Sequence, residues 1–318
     1  MFFFYDCTPL DEKKSLRKWK LVNKHNSKLP SDKIHEIYFS SQNKIWIGTW
    51  GDGLINFSFE KEPLVLATYN SCLPNNKVYM IKEDSKLNLW VATFGGGMYK
   101  YGSDSCVVYD KHNSGLGHDV IYNFDIDSSD NLWVGTWGDG LNHFDGETWS
   151  KIENQSAKIP YKVPSVLVEN EKVFIGSIDG LIIKENDTFK ALSPENSPLI
   201  KSSVYKLLKG KDQEVWLGYK TDGIAKFDGE EWTYFSESKK FRSYDMALDS
   251  QNNLWIAAYG LGLVKFDGNN WRVFDTQNSP IPDKYVFCVE VDKYDNIWVG
   301  TLGQGIAIYN ENGITLDM

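Results

Sequence analysis

A single aromatic position repeats along the whole 318-residue chain. It stands between aliphatic residues, two before a Gly or Ala, at Trp46, Trp90, Trp133, Phe174, Trp216, Trp255 and Trp298. Successive copies are 39–44 residues apart. A period of this length makes each unit one supersecondary element that cannot bury its apolar face alone. The residues between copies choose the element. The third unit runs through an alternating segment, "VIYNFDID", a turn, "SSDN", and a second alternating segment, "LWVGT". "WGDG" then turns into "LNHFD", and "GE" into "TWSKI". Four short strands joined by turn residues give an up-and-down antiparallel sheet. No capped amphipathic helix interrupts the pattern. The fold class is all-β: a seven-bladed β-propeller of four-stranded antiparallel blades, with strands a to d from the axis outward.

Two small-residue positions carry physical meaning. The b–c turn of every unit ends in glycine, at Gly53, Gly97, Gly140, Gly180, Gly223, Gly262 and Gly305. A tight hairpin asks for a positive φ there. The position two after the strand-b aromatic is always Gly or Ala and shares its sheet face. We expect the neighbouring blade's Trp to pack over that gap, which makes the strand-b aromatics inter-blade core. The d–a connections repeat as "NSKLPSD", "NSCLPNN", "NSGLGHD", "NSPLIKS" and "NSPIPDK". A ring must also close, or sheet edges stay open. There are eight d-like segments for seven units. The segment around Trp19 is expected to join the last unit and close the ring, leaving the tail around Ile314 supplementary; the alternative is that Ile314 completes its own blade.

Composition narrows the function. A net charge of −9 argues against nucleic acid and against an acidic membrane surface. Cys7, Cys72, Cys106 and Cys288 are far apart and form no CxxC, so they are expected to be unpaired thiols; with five scattered His, no metal site and no cofactor is expected. No apolar run reaches a transmembrane span. Residues 1–14 stand apart from the repeats, and 15–318 form the propeller. "MFFFYDC" is either a shortened lipoprotein leader with Cys7 as the lipid anchor or a plain disordered start. It lacks a basic segment, and Asp6 stands where a small residue is usual.

The units "NKIWIGTWGDGLINF", "DNLWVGTWGDGLNHFDGETW", "NNLWIAAYGLGLVKFDGNNW" and "DNIWVGTLGQGIAIY" resemble two-component regulator propeller repeats. The resemblance covers essentially the whole chain. It implies a β-propeller like those in the extracytoplasmic sensor part of hybrid histidine kinases, many of which respond to glycans. Stand-alone surface versions belong to the same family. This chain departs from the full sensors: it has one seven-unit array and no kinase, DNA-binding domain or transmembrane helix. The resemblance thus implies a periplasmic or cell-surface ligand-recognition propeller, a monomer taking a small ligand or glycan, with a protein partner as an alternative.

In such a ring the b–c and d–a loops emerge at one end, around the axis. They bring Trp50, Phe94, Trp137 and Tyr259 there, with Asp52, Asp139 and Asp222 beside them and His118 from the loop into the third unit. Flat aromatics among carboxylates suit a sugar ring or another small ligand. The competing reading makes the Asp residues turn formers, because Asp-Gly is a preferred hairpin pair. Catalysis has less support. A propeller lyase of the streptogramin-inactivating type would need a His base, a carboxylate and a divalent metal, for which only His112, His118 and Asp119 cluster in sequence. A glycosidase pair is not marked.

Overall fold

The computed structural model describes residues 18–102, 105–153, 157–193, 197, 199, 203–211 and 213–316. Cys7 and the rest of the leader lie outside them. The described strands form seven four-stranded antiparallel sheets. The first blade is Ile34–Phe39, Ile45–Thr49, Leu54–Phe57 and Leu64–Leu66, strands a to d. The next five follow in sequence order. The seventh takes Val286–Val291, Ile297–Thr301 and Ile306–Tyr309 from the end of the chain and Trp19–Val22 from its beginning. Trp19 lies opposite Tyr309 and Val22 opposite Ile306. The expected closure is therefore the observed one. Ile314 belongs to no strand; with Leu316 it packs on the apolar cluster between the seventh and first blades.

All seven strand-b aromatics are buried, from Trp298 at 1% exposure to Trp133 at 9%. A buried indole usually finds a partner for its N–H, and four of these do, whereas Trp216 Nε1 has none. The Nε1 of Trp90, Trp133, Trp255 and Trp298 donates to Asp84, Asp127, Asp249 and Asp292, each six residues earlier in the a–b turn. The same Asp accepts from the turn Asn, as Asp127 does from Asn131. One residue thus shapes the turn and anchors the core. At the c–d turns Phe144, Phe227 and Phe266 stack on Trp149, Trp232 and Trp271, with centroids 4.9, 4.5 and 4.2 Å apart. These pairs are cross-strand neighbours, which is why "FDG" and the strand-d aromatic occur together.

The gap beside strand b is filled otherwise than expected. A Cβ on Gly48 would stand 2.6 Å from Val78 Cγ1, on Gly176 2.9 Å from Val204 Cγ1, and on Gly300 2.6 Å from Ile34 Cγ2. The residue before or at the start of the next blade's strand a, and no Trp, occupies the space. The blades approach too closely there for an indole, so a missing side chain on one blade accepts a branched aliphatic from the next. The turn glycines do take positive φ, between 75° and 131°. Gly97 has a second reason as well: a Cβ would lie 2.1 Å from the Tyr109 carbonyl oxygen of its own outer strand.

The thiol expectation also needs correction. Cys72 and Cys106 form a disulfide across 34 residues, with Cα atoms 6.5 Å apart. The d–a connection runs from the outer edge of one blade to the axis of the next, so it crosses that next blade's outer strand. Cys72 is in the connection and Cys106 opens the outer strand, Cys106–Tyr109. Cys288 alone among the described cysteines is free, and it is buried. Cross-linking a loop of this length stabilises by about 2–4 kcal/mol. Cys72→Ser with Cys106→Ser should lower the urea midpoint accordingly. An unchanged midpoint, with and without reductant, would show that the bond contributes nothing.

Candidate functional site

The b–c turns and d–a loops meet at one end of the ring. Gly53 and Gly97 N–H donate to the Asn76 and Asp119 carbonyls, and Gly140, Gly260 and Gly305 to those of Tyr161, Lys284 and Asp32. What lines the axis beneath these loops is a different set of residues. In six blades strand a carries a β-bulge, for example between Ile34 and Glu36. A bulge leaves one residue unpaired and re-aims its side chain. The unpaired residues are His35, Tyr79, Tyr122, Tyr205, Tyr244 and Phe287, and all line the axial channel. The fourth blade pairs from Ser165 without a bulge and contributes Pro164.

The six rings form a closed collar. Going round, centroids are separated by 4.3 Å (His35–Tyr79), 5.0 Å (Tyr79–Tyr122), 6.3 Å (Tyr122–Tyr205), 5.3 Å (Tyr205–Tyr244), 5.4 Å (Tyr244–Phe287) and 5.2 Å (Phe287–His35). A hexagon's radius equals its side, so each centroid stands about one such spacing from the axis. The cavity at the collar has a volume of ≈ 480 Å³, including space open to solvent.

The aromatics expected at the mouth form a second tier against this collar. Trp50 stacks on His35 at 5.5 Å, Phe94 on Tyr79 at 5.5 Å, Trp137 on Tyr122 at 4.6 Å and Tyr259 on Tyr244 at 4.7 Å. Lysines lie over three of these rings: Lys77 Nζ is 4.9 Å from the Trp50 centroid and 5.6 Å from that of Phe94, and Lys162 Nζ is 3.9 Å from that of Trp137. The polar candidates are engaged locally. Asp52 accepts from Ser31 Oγ at 2.7 Å, Asp139 pairs with Lys151 Nζ at 3.0 Å, and Asp222 accepts from Thr221 Oγ1 at 2.6 Å. His118 Nδ1 accepts the Val120 N–H, and its ring covers Gly138. His112 is exposed, and His143 packs at a tilt against Trp133.

Below the collar, strand a supplies charge. Glu36, Lys206 and Asp245 line the channel directly beneath the rings. Lys82, Asp125 and Glu290 lie two residues beyond that level on their own strands. Lys82 pairs with Asp125 and Lys206 with Asp245. Asp125 and Asp245 also accept N–H groups of the next blade, from Val168 and Val289. Burial, reinforced by Asp245, pushes Glu36 well above the usual carboxylate range and Glu290 up to about 7. Burial works to lower the Lys206 pKa, but Asp245 and Glu36 outweigh it and hold the ammonium more basic than usual. Burial lowers His35 to about 4, against a weaker opposing bond to the Tyr79 backbone. The His35 Nδ1 has no hydrogen-bond partner. Among the described residues, no group of three or more His, Cys, Asp or Glu is arranged to hold a metal ion.

The collar has a sequence signal that motif reading passes over. His35, Tyr79, Tyr122, Tyr205, Tyr244 and Phe287 each stand eleven residues before the strand-b aromatic. In the fourth unit that position is Val163, and Pro164 is one residue closer, which is the missing bulge.

Against known proteins, the two-component regulator propeller repeat matches at residues 28–51 and 280–303. Each match runs from a d–a loop through strands a and b, in the first and the last blade. No curated protein matches the chain at a significant level. Among solved structures, the extracellular domain of a hybrid two component system from B. thetaiotaomicron is 21% identical with a TM-score of 0.77, covering 93% of this chain and 42% of that one. PorZ of Porphyromonas gingivalis, a surface component of the type-IX secretion system, is 14% identical with a TM-score of 0.68, covering 88% and 46%. Virginiamycin B lyase from Staphylococcus aureus is 14% identical with a TM-score of 0.73, covering 92% and 98%. At these identities the likeness is one of fold. The chain spans about two fifths of that extracellular domain.

Proposed function

We propose that this ring of two-component regulator propeller repeats is a non-catalytic, sensor-like recognition module that works outside the cytoplasm and takes a small ligand at its axial mouth. The observation that carries the reading is the aromatic collar. Six rings converge on one channel from bulges, features that re-aim side chains at the cost of regular pairing. A concave aromatic mouth with a few polar groups beneath it is the ordinary build of a small-ligand site. Extracytoplasmic location is supported by the Cys72–Cys106 disulfide, since such bonds persist in oxidising compartments, and by the likeness to extracellular propellers. No helix among the described residues is long and apolar enough to cross a membrane. A carbohydrate is the first class to screen. Its ring would lie across the collar, against the tier of Trp50, Phe94, Trp137 and Tyr259, rather than enter it.

A thermal-shift screen of glycans and metabolites tests this. A ligand at 100 times its Kd adds about 2.7 kcal/mol of stability. The shift should disappear in Tyr205→Ala with Tyr244→Ala, and weaken in Trp50→Ala with Trp137→Ala. A hit that binds the double collar variant as well as the parent would place the site elsewhere.

A further inference from the structure

We infer that the ligand of this mouth carries an alkylammonium group, which passes through the aromatic collar and is neutralised by Glu36. The inference rests on the axial mouth being the binding site and names the chemistry that fits it. Three independent features converge. First, aromatic faces attract cations, through the negative face of the ring. The chain already uses this property at the rim, where Lys77 and Lys162 sit over Trp50 and Trp137.

Second, the floor beneath the collar is short of positive charge. Four carboxylates, of Glu36, Asp125, Asp245 and Glu290, share the ammonium groups of Lys82 and Lys206. Asp125 and Asp245 hold those two lysines in ion pairs. Among the described residues, Glu36 has no ion pair or hydrogen bond, although it faces the channel. Glu36 is half-buried, and a carboxylate held in a channel without a partner is relieved by a cation.

Third, His35 lines the same channel, and its Nδ1 is buried without a hydrogen-bond partner. Burial keeps the ring neutral at ordinary pH. An ammonium beneath the collar supplies the positive charge that this floor lacks, which a neutral hydroxyl or an anion does not.

The charge balance is explicit. In the empty site Glu36 faces Asp245, Glu290, Lys206 and Lys82 and holds a proton to higher pH than a free carboxyl does. When the ammonium binds, Glu36 releases that proton to solvent and the carboxylate pairs with the cation. Binding is therefore tighter at higher pH.

The test is isothermal titration of the full chain with n-butylammonium and n-hexylammonium, against the neutral counterparts n-butanol and n-hexanol, at pH 8 and pH 6. One saturable site is expected, at least tenfold tighter for each cation than for its neutral counterpart. Affinity should fall toward pH 6, with proton release visible as a dependence on buffer ionisation enthalpy. Glu36→Gln should lose tenfold or more. Equal affinity for cation and neutral counterpart, or no cation binding, overturns the inference. So does an unaffected Glu36→Gln. If that variant fails to fold, the cation preference and proton release of the parent decide the matter. A neutral ligand that binds, is lost in Tyr205→Ala and outcompetes both amines overturns the cation while leaving the mouth as the site. Absence of any binder, neutral or cationic, overturns both.

Discussion

Removing residues 1–24 abolishes the cooperative thermal unfolding of the ring. This result is expected because those residues contain the whole outer strand of the seventh blade. Trp19 is 8% exposed and Val22 1%. Trp19 packs against Tyr309 at 4.6 Å and Phe274 at 5.8 Å, so it reaches into the sixth blade as well as its own. Truncating a buried Trp alone costs about 3–5 kcal/mol, a large share of the roughly 5–15 kcal/mol that holds a domain folded. The deletion also strips the ladder of hydrogen bonds from Ile306–Tyr309 and leaves an open edge of apolar residues, which invites aggregation. Trp19→Ala isolates the packing part and should still melt cooperatively, well below the parent. Calorimetry measures both. A melting curve within a degree or two of the parent after the deletion would mean that the strand is dispensable and that the ring is held by blade-to-blade packing alone.

That closure was legible in the sequence because it is a matter of counting. Seven a–b–c sets and eight d-like segments leave few ways to close a ring, and the Trp19 segment has the strand-d aromatic at the right distance from its Asn-Ser turn. Strand order, turn glycines and the buried strand-b aromatics were legible for the same reason: each is dictated locally and repeated seven times. What escaped depends on how units meet. The occupant of the Gly48 gap belongs to the next blade, and which residue of that blade fits is decided by the closeness of approach. Cys72 and Cys106 pair because a connection crosses an outer strand, which spacing does not encode. The collar was hidden more subtly. A bulge breaks the two-residue alternation by one, so Tyr79 or Tyr205 reads as a residue out of phase. Glu36 and Glu290 are neighbours only because the last blade stands beside the first. The charged floor they create has no linear motif at all.

The same two glutamates and His35 give the ring a pH response that single substitutions take apart. Glu290 has a folded pKa of about 7, raised mainly by burial. A raised carboxyl contributes stability that is present below the unfolded value of about 4.5 and is lost as pH rises toward 7. His35 is the reverse case. Its folded pKa is about 4, lowered by burial. A lowered imidazole contributes stability that is present above about 6.5 and is lost as pH falls toward 4. At 1.36 kcal/mol per unit, and discounted for water in the channel, each effect is about 2–3 kcal/mol. Between pH 4.5 and 6.5 these two oppose each other and nearly cancel, so the parent's stability should fall there through Glu36, which is raised in the same direction as Glu290. Above that window His35 no longer opposes the loss, which continues through Glu36. Glu290→Gln removes one of the two declining contributions, so from pH 4.5 to 6.5 its stability should rise by about 2–3 kcal/mol relative to the parent's. His35→Phe keeps an aromatic ring in the collar and removes the other side, so its stability should fall over the same interval. Urea unfolding at intervals of one pH unit reads both slopes. Parallel curves for parent and variants would show that neither group titrates differently on folding, and that the channel is wetter than its packing implies. The alkaline decline has a further use. An alkylammonium bound at Glu36 replaces the lost proton with a cation that stays charged through neutral pH, so a cationic ligand should flatten that limb of the curve and a neutral ligand should only raise it.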